Sequence, residues 1–138
     1  MQEIPIEMFN WSEKTILIAE DELINFRLLE VMLAKTSVKI LRGKNGIETL
    51  QLFKENPQID LILMDIKMPE MDGCEVTREI RKINTKIPII AQTAYALEEE
   101  KEKSFEAGCT DYITKPINKK ELLFLIDSKL REIINTSI

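Results

Sequence analysis

The sequence predicts one α/β domain, a five-stranded parallel sheet with five alternating helices on its two faces. Three observations predict it. Short apolar, β-branched runs alternate with stretches of helical spacing along the chain, and strict β–α alternation forces parallel pairing through right-handed crossovers. The run Leu61–Met64 is apolar without alternation, as a strand buried on both faces must be. The chain of 138 residues, 44% hydrophobic and 31% charged, has the size and composition of one ordinary globular domain, large enough to hold a core without disulfide or structural metal.

The elements follow in order. TILIA (15–19) is the first strand, and LINFRLLEVMLAK (23–35) is a helix with two apolar faces. SVKIL (37–41) is the second strand. Asn45-Gly46 then punctuates, and Ile47, Leu50 and Phe53 recur at helical spacing until Asn56-Pro57 stops the helix. DLILM (60–64) is the third strand. Asp72-Gly73 opens a helix with Val76, Ile80 and Ile83 on one face. IPIIAQT (87–93) is the fourth strand. Residues 94–108 read as a helix ended by Gly108. Its body, 96–107, is anchored chiefly by Leu97 and Phe105; its charge run reads best as a solvated face with pairs such as Glu99–Lys103. So few anchors make it an early element to move. DYIT (111–114) is the fifth strand, and 118–134 the last helix, with Leu122, Ile126, Leu130 and Ile133 on one face. Residues 1–13 stand outside the pattern, as an N-terminal extension or linker before a domain at 14–136. Phe9 and Trp11 there cover a sheet edge or a helix, or are remnants of a longer chain.

Composition removes several function classes. There is no histidine, so Ser-His-Asp hydrolysis, Cys-His catalysis and His-ligated zinc are excluded, and this chain cannot donate a phosphoryl group from histidine. Cys74 and Cys109 form no CxxC pair and read as free thiols of a reducing compartment. A net charge of −5 argues against nucleic acid as the main partner. No signal peptide or apolar run of membrane-spanning length is visible. The expected location is the cytoplasm, or the cytoplasmic part of a membrane-bound sensor, without membrane contact by this domain.

The chemistry gathers at the strand ends, outside which α/β sheets bind ligands. Strand 1 ends in Glu20-Asp21, strand 3 in Asp65, strand 4 in Thr93-Ala94 and strand 5 in Lys115-Pro116; strand 2 ends in Arg42-Gly43 and offers nothing of the same kind. With strands 1 and 3 adjacent, Glu20, Asp21 and Asp65 share one mouth. Their repulsion is relieved by a hard divalent cation, and oxygen-only ligands favour Mg²⁺. Lys115 and Thr93 add an ammonium and a hydroxyl, an arrangement suited to a phosphoryl group with Asp65 as the nucleophile. Each residue alone is better explained blandly: Glu20-Asp21 as turn or cap, Thr93 as a strand-end hydroxyl, Lys115 as a solvated cation. The coincidence of four strand ends supplying four parts of one site favours function.

The motifs ILIAED, LILMDIKMPEMDG, IIAQTAYA and GCTDYITKPI occur in this order over residues 14–134. In order and spacing the chain resembles the response-regulator receiver domain of two-component signalling. The resemblance implies a flavodoxin-like, doubly wound sheet in the order 2-1-3-4-5. It implies that Asp65 accepts a phosphoryl group from a partner's phosphohistidine, with slow autodephosphorylation. Mg²⁺ would be held by Asp21 and Asp65, by Glu20 through water and by the backbone carbonyl of Lys67. Thr93 and Tyr112 would form the switch pair, Lys115 would pair with the phosphoryl oxygens, and the Lys115-Pro116 bond would be cis. Glu20 departs from the family's more usual Asp. Lys67 and Tyr95 would flank the path of attacking water, Tyr95 shielding the phosphate. EDELINFRLL and MPEMDGCEVTREIR look most like receivers of hybrid sensor histidine kinases, so a receiver cut from such a kinase is favoured over a stand-alone one. The implied partners are a histidine kinase or histidine phosphotransfer domain, with a dimer possible through the fourth helix, fifth strand and fifth helix.

Three rivals are weighed. A Mg²⁺-dependent phosphatase of the haloacid dehalogenase type needs a second Asp where this chain has Lys67. A flavodoxin-like FMN carrier needs a Ser/Thr/Gly-rich loop where this chain has Glu20-Asp21-Glu22. A non-phosphorylated docking receiver does not account for intact Asp65, Thr93 and Lys115.

Overall fold

The apolar runs pair as one parallel sheet of β1 (Thr15–Ala19), β2 (Lys39–Gly43), β3 (Leu61–Asp65), β4 (Ile89–Thr93) and β5 (Asp111–Thr114). The sheet order is β2-β1-β3-β4-β5, as the resemblance implies. The computed structural model describes residues 9–94 and 97–136, with residues 132–136 in backbone alone. Ile133, expected on the last helix's inner face, therefore lies outside the described side chains.

Every residue of β1, β3 and β4 is buried. Alternation divides them between two cores. Leu17, Ile62, Met64 and Ile89 face α2 (Gly46–Glu55) and α3 (Gly73–Ile83), where Phe53, Val76 and Ile80 meet them. Ile16, Ile18, Leu61, Leu63, Ile90 and Ile113 face α1 (Leu23–Leu33) and α5 (Lys119–Thr136), against Phe26, Leu29, Leu122 and Ile126. Burying both faces fixes the strands, so their carboxyl ends are held in place.

Helix starts follow their caps. The Asn45 side chain accepts from the Glu48 amide, while the Glu48 carboxylate accepts from the Lys44 amide, a reciprocal pair close to a capping box. Asp72 caps α3 through the Glu75 amide. Gly73 is required there, since a Cβ would run into the Asp65 carbonyl. Gly108 ends α4 (Glu98–Ala107) with φ 117, a left-handed conformation that favours glycine.

Several boundaries differ from the sequence reading by one to four residues, among them the third strand, which runs 61–65 rather than 60–64, and the fourth helix, which begins at Glu98; two differences have a plain cause. The second strand begins at Lys39 rather than Ser37, because α1 runs on into a 3-10 turn at Ala34–Thr36 and Ser37 closes it with φ 64. β4 begins at Ile89 rather than Ile87: Pro88 contributes only its carbonyl, which accepts from Ile62.

Phe9 and Trp11 pack into the second core. Their rings stack at 5.5 Å, Phe9 meets Phe124 of α5 edge-on at 5.3 Å, and the Trp11 amide donates to Thr36 at 2.7 Å. Of the readings offered for them, cover over a helix is the one realised. Both rings are buried, so Trp11→Ala should cost about 3–5 kcal/mol of unfolding free energy. Urea denaturation measures this; a loss below about 1 kcal/mol would show the segment to be dispensable.

Candidate functional site

Glu20 immediately follows β1 and Asp65 is the last residue of β3, and their neighbour strands pair in register, Ala19 opposite Met64. One carboxylate oxygen from each of Glu20, Asp21 and Asp65 lies within 4.8 Å of the others. Glu20 and Asp65 are buried and Asp21 half-buried. The sheet thus gathers the three predicted acids at one mouth.

Lys115 reaches the same mouth from the end of β5. Its Nζ lies 3.4 Å from Glu20 Oε1 and 3.4 Å from Asp65 Oδ2. The Lys115-Pro116 bond is cis, as expected. The Lys67 amide donates to Asp65 Oδ1 at 3.2 Å, and the Glu22 amide to Glu20 Oε2 at 3.2 Å. Thr93 ends β4, buried, and its carbonyl accepts from the Lys115 amide at 2.8 Å.

The charges report on one another. Burial, then the Asp65 charge, pushes the Glu20 carboxyl up to about 7. Burial likewise raises Asp65, against the pull of Lys115. Burial alone would lower Lys115, but the Asp65 and Glu20 carboxylates more than offset it and hold the ammonium charged. The site therefore carries more negative charge than one lysine can balance. An all-oxygen donor set in that condition fits a hard divalent cation.

Arg42, at the end of β2, was passed over in the sequence. Its Nε and one terminal nitrogen donate to the carbonyls of Glu20 and Asp21, each at 3.2 Å, and its guanidinium lies 5.0 Å from the Phe26 ring centroid. It fixes the backbone that carries two of the acids. Only its position one strand away from Glu20-Asp21 could have signalled this. Tyr112 is half-buried against α4: the Phe105 ring meets it edge-on at 6.0 Å and Lys101 Nζ lies 4.5 Å from its centroid. The structure does not bring Tyr112 into the acidic mouth. Tyr95 lies outside the described residues. Cys74 and Cys109 are free and buried, as read from the sequence, and burial pushes the Cys109 thiol up to about 11.

The family model described as "Response regulator receiver domain" matches residues 16–127. The chain belongs to this family. It is 42% identical over 131 residues to a hybrid signal transduction histidine kinase of Dictyostelium discoideum, covering 89% of this chain but 7% of that protein. It is 37% identical over 119 residues to a polar-differentiation response regulator of Brucella anthropi, covering 85% of this chain and 96% of that one. Among solved structures it resembles a chain in the co-crystal of the Saccharomyces cerevisiae histidine phosphotransfer signaling protein Ypd1 with the receiver domain of its downstream response regulator Ssk1. That match has TM-score 0.74 and 32% identity over 79% of this chain and 83% of that one. The phosphatase, FMN-carrier and docking-only readings are not favoured. Among the described residues of this receiver domain, no helix is long and apolar enough to cross a membrane.

The raised Glu20 carboxyl carries a pH signature. Between pH 4.5, its ordinary value, and about 7, the folded protein keeps a proton that the unfolded chain has released. Without divalent cation, stability should therefore fall as pH rises through this window, by on the order of 2–3 kcal/mol. Glu20→Gln should remove most of that slope. Urea unfolding in chelator across the window measures it, and equal slopes for both proteins would refute the assignment.

Proposed function

We propose that this receiver domain, residues 14–136, takes a phosphoryl group onto Asp65 from a partner's phosphohistidine and signals by a change of conformation. One observation carries the reading: three acids, a lysine and a threonine hydroxyl at four adjacent strand ends, with Lys115 within 3.4 Å of both Glu20 and Asp65. The P–N bond to the partner's imidazole would break as a P–O bond to an Asp65 oxygen forms, and the imidazole would leave. Lys115, held charged, would pair with the incoming oxygens, and Thr93 would donate its hydroxyl to one of them. Glu20, Asp21, Asp65 and the Lys67 carbonyl would hold Mg²⁺, which when bound supplies charge neutralisation for the dianionic group.

The partner we favour is a histidine kinase or histidine phosphotransfer domain. The likeness to a receiver crystallised with a histidine phosphotransfer protein supports this. So does α1, whose second apolar face is left exposed: Ile24 is 76%, Leu28 54% and Val31 72% exposed. Their i, i+4, i+7 spacing makes one stripe beside the acidic mouth, suited to a helical partner. Response would pass through Thr93 and Tyr112 to the surface of α4, β5 and α5, a possible dimer face. We place the domain on the cytoplasmic side, as a stand-alone regulator or part of a hybrid kinase.

Incubation with a small acyl phosphate and Mg²⁺, followed by intact-mass analysis, should add one phosphoryl group to the wild type and none to Asp65→Asn. Ile24→Glu should keep that labelling but slow transfer from a phosphohistidine donor by tenfold or more. Equal labelling of wild type and Asp65→Asn would overturn the acceptor; unchanged transfer to Ile24→Glu would overturn the docking face.

A second prediction concerns Tyr112. Lys101→Ala removes the cation over its ring and should raise acyl-phosphate labelling a few-fold, by favouring the inward ring. An unchanged rate together with unchanged Tyr112 ring resonances would show that Lys101 does not restrain it.

A further inference from the structure

Arg42 reaches the acidic turn from behind. It stands in register with Ile18 near the end of β2, on the face that packs against α1. Its Nε donates to the Glu20 carbonyl and one terminal nitrogen to the Asp21 carbonyl, each at 3.2 Å. One planar group thus spans two successive peptides, while the carboxylates of the same two residues meet Asp65 within 4.8 Å. The guanidinium is itself held in place, half-buried and 5.0 Å from the Phe26 ring centroid.

Other ties on this turn are few. α1 opens at Glu22 with no side-chain cap. The Glu20 amide donates to the Gly43 carbonyl at 3.0 Å. The Glu22 amide donates to the Glu20 carboxylate, a bond that shifts with the very side chain it would fix. The firmness of the turn bears on which ion suits it. Mg²⁺ demands near-octahedral oxygens at about 2.0–2.1 Å, whereas Ca²⁺ takes oxygens at about 2.3–2.6 Å in looser geometry. A clamp on the backbone that carries Glu20 and Asp21 therefore favours the smaller, more exacting ion. A lysine in the same place would offer a point charge on a flexible stem, not a rigid fork across two carbonyls.

We infer that Arg42 is a positioning residue that sets the cation preference of the acidic mouth: its fork on the Glu20 and Asp21 carbonyls holds the turn at the spacing that suits Mg²⁺ over Ca²⁺. The inference rests on the divalent-cation reading of the site and on no phosphoryl step.

Mg²⁺ and Ca²⁺ are the probes, titrated separately into the isotopically labelled full chain while the Glu22 and Lys67 amide resonances are followed. Arg42→Met keeps an apolar stem beside Phe26 and removes the fork. It should weaken Mg²⁺ binding by about tenfold or more and Ca²⁺ binding by less than about threefold, so that the preference for Mg²⁺ falls. Arg42→Lys, with the charge but not the fork, should behave as Arg42→Met does, and it decides the matter if Arg42→Met does not fold. A loss of stability alone would weaken both ions by the same factor. No saturable shift of the wild type with either ion would overturn the cation reading of the site, and this inference with it. Where the wild type binds Mg²⁺, four results would overturn the role of Arg42 alone: tighter binding of Ca²⁺ than of Mg²⁺ by the wild type, Mg²⁺ affinity unchanged in Arg42→Met, equal losses for the two ions, or the full wild-type preference kept by Arg42→Lys.

Discussion

The oxygens of Glu20, Asp21 and Asp65 sit within 4.8 Å of one another with a single lysine between the two buried ones. At that separation two unit charges repel by about 3 kcal/mol even at an effective dielectric near 20. The fold must hold them there against that force. It does so with strands buried on both faces, whose register is set by aliphatic side chains far from the charges. Burial first, and then the Asp65 charge, lifts the Glu20 carboxyl to about 7. A site in this condition is primed for positive charge, and the cost of assembling it is met by the core.

The backbone around the acids is tied down residue by residue. Arg42 grips the carbonyls of Glu20 and Asp21, and the amides of Glu22 and Lys67 turn inward onto carboxylates. Gly73 lets the start of α3 approach the end of β3 closer than any side chain would permit, its amide donating to Ile66. These contacts convert a strand end, normally a frayed place, into a fixed frame. Positioning to within a fraction of an ångström is what phosphoryl chemistry asks of a protein.

The sequence disclosed the strands and most of the acidic mouth because each rests on a local signal. Leu61–Met64 is legible as a buried strand, and a charge directly after it is legible as an exception. The start of β2 was not legible: Ser37 and Val38 have the composition of a strand, but the 3-10 turn at Ala34–Thr36 takes up the first of them. Arg42 carries no such signal, because its partners are backbone carbonyls 21 and 22 residues away on the neighbouring strand's end, and carbonyls leave no trace in a residue pattern. Gln92 reads simply as part of an apolar strand; that both ends of its amide lack partners among the described residues appears only in the folded chain. Phe9 and Trp11 look detached in the sequence for the same reason, Phe9's partner Phe124 being more than a hundred residues on and Trp11 stacking on Phe9.

The two sides of the domain are built for different tasks. The α1 side carries more apolar surface than its own packing uses, exposed in one stripe beside the acids. The α4 side is the reverse: Ser104 and Ala107 are its buried residues, Leu97 and Phe105 are exposed, and its first turn is Glu98-Glu99-Glu100. Between them runs one short covalent and hydrogen-bonded path. The Thr93 carbonyl accepts from the Lys115 amide, the Lys115 ammonium touches Asp65, and Tyr112, three residues before Lys115, leans on α4. A pull on Lys115 or Thr93 by a group bound at Asp65 would be felt first at the end of β5, and from there by the helix with least buried surface to resist it. A weakly anchored α4 beside a rigid mouth is therefore a property of the packing itself.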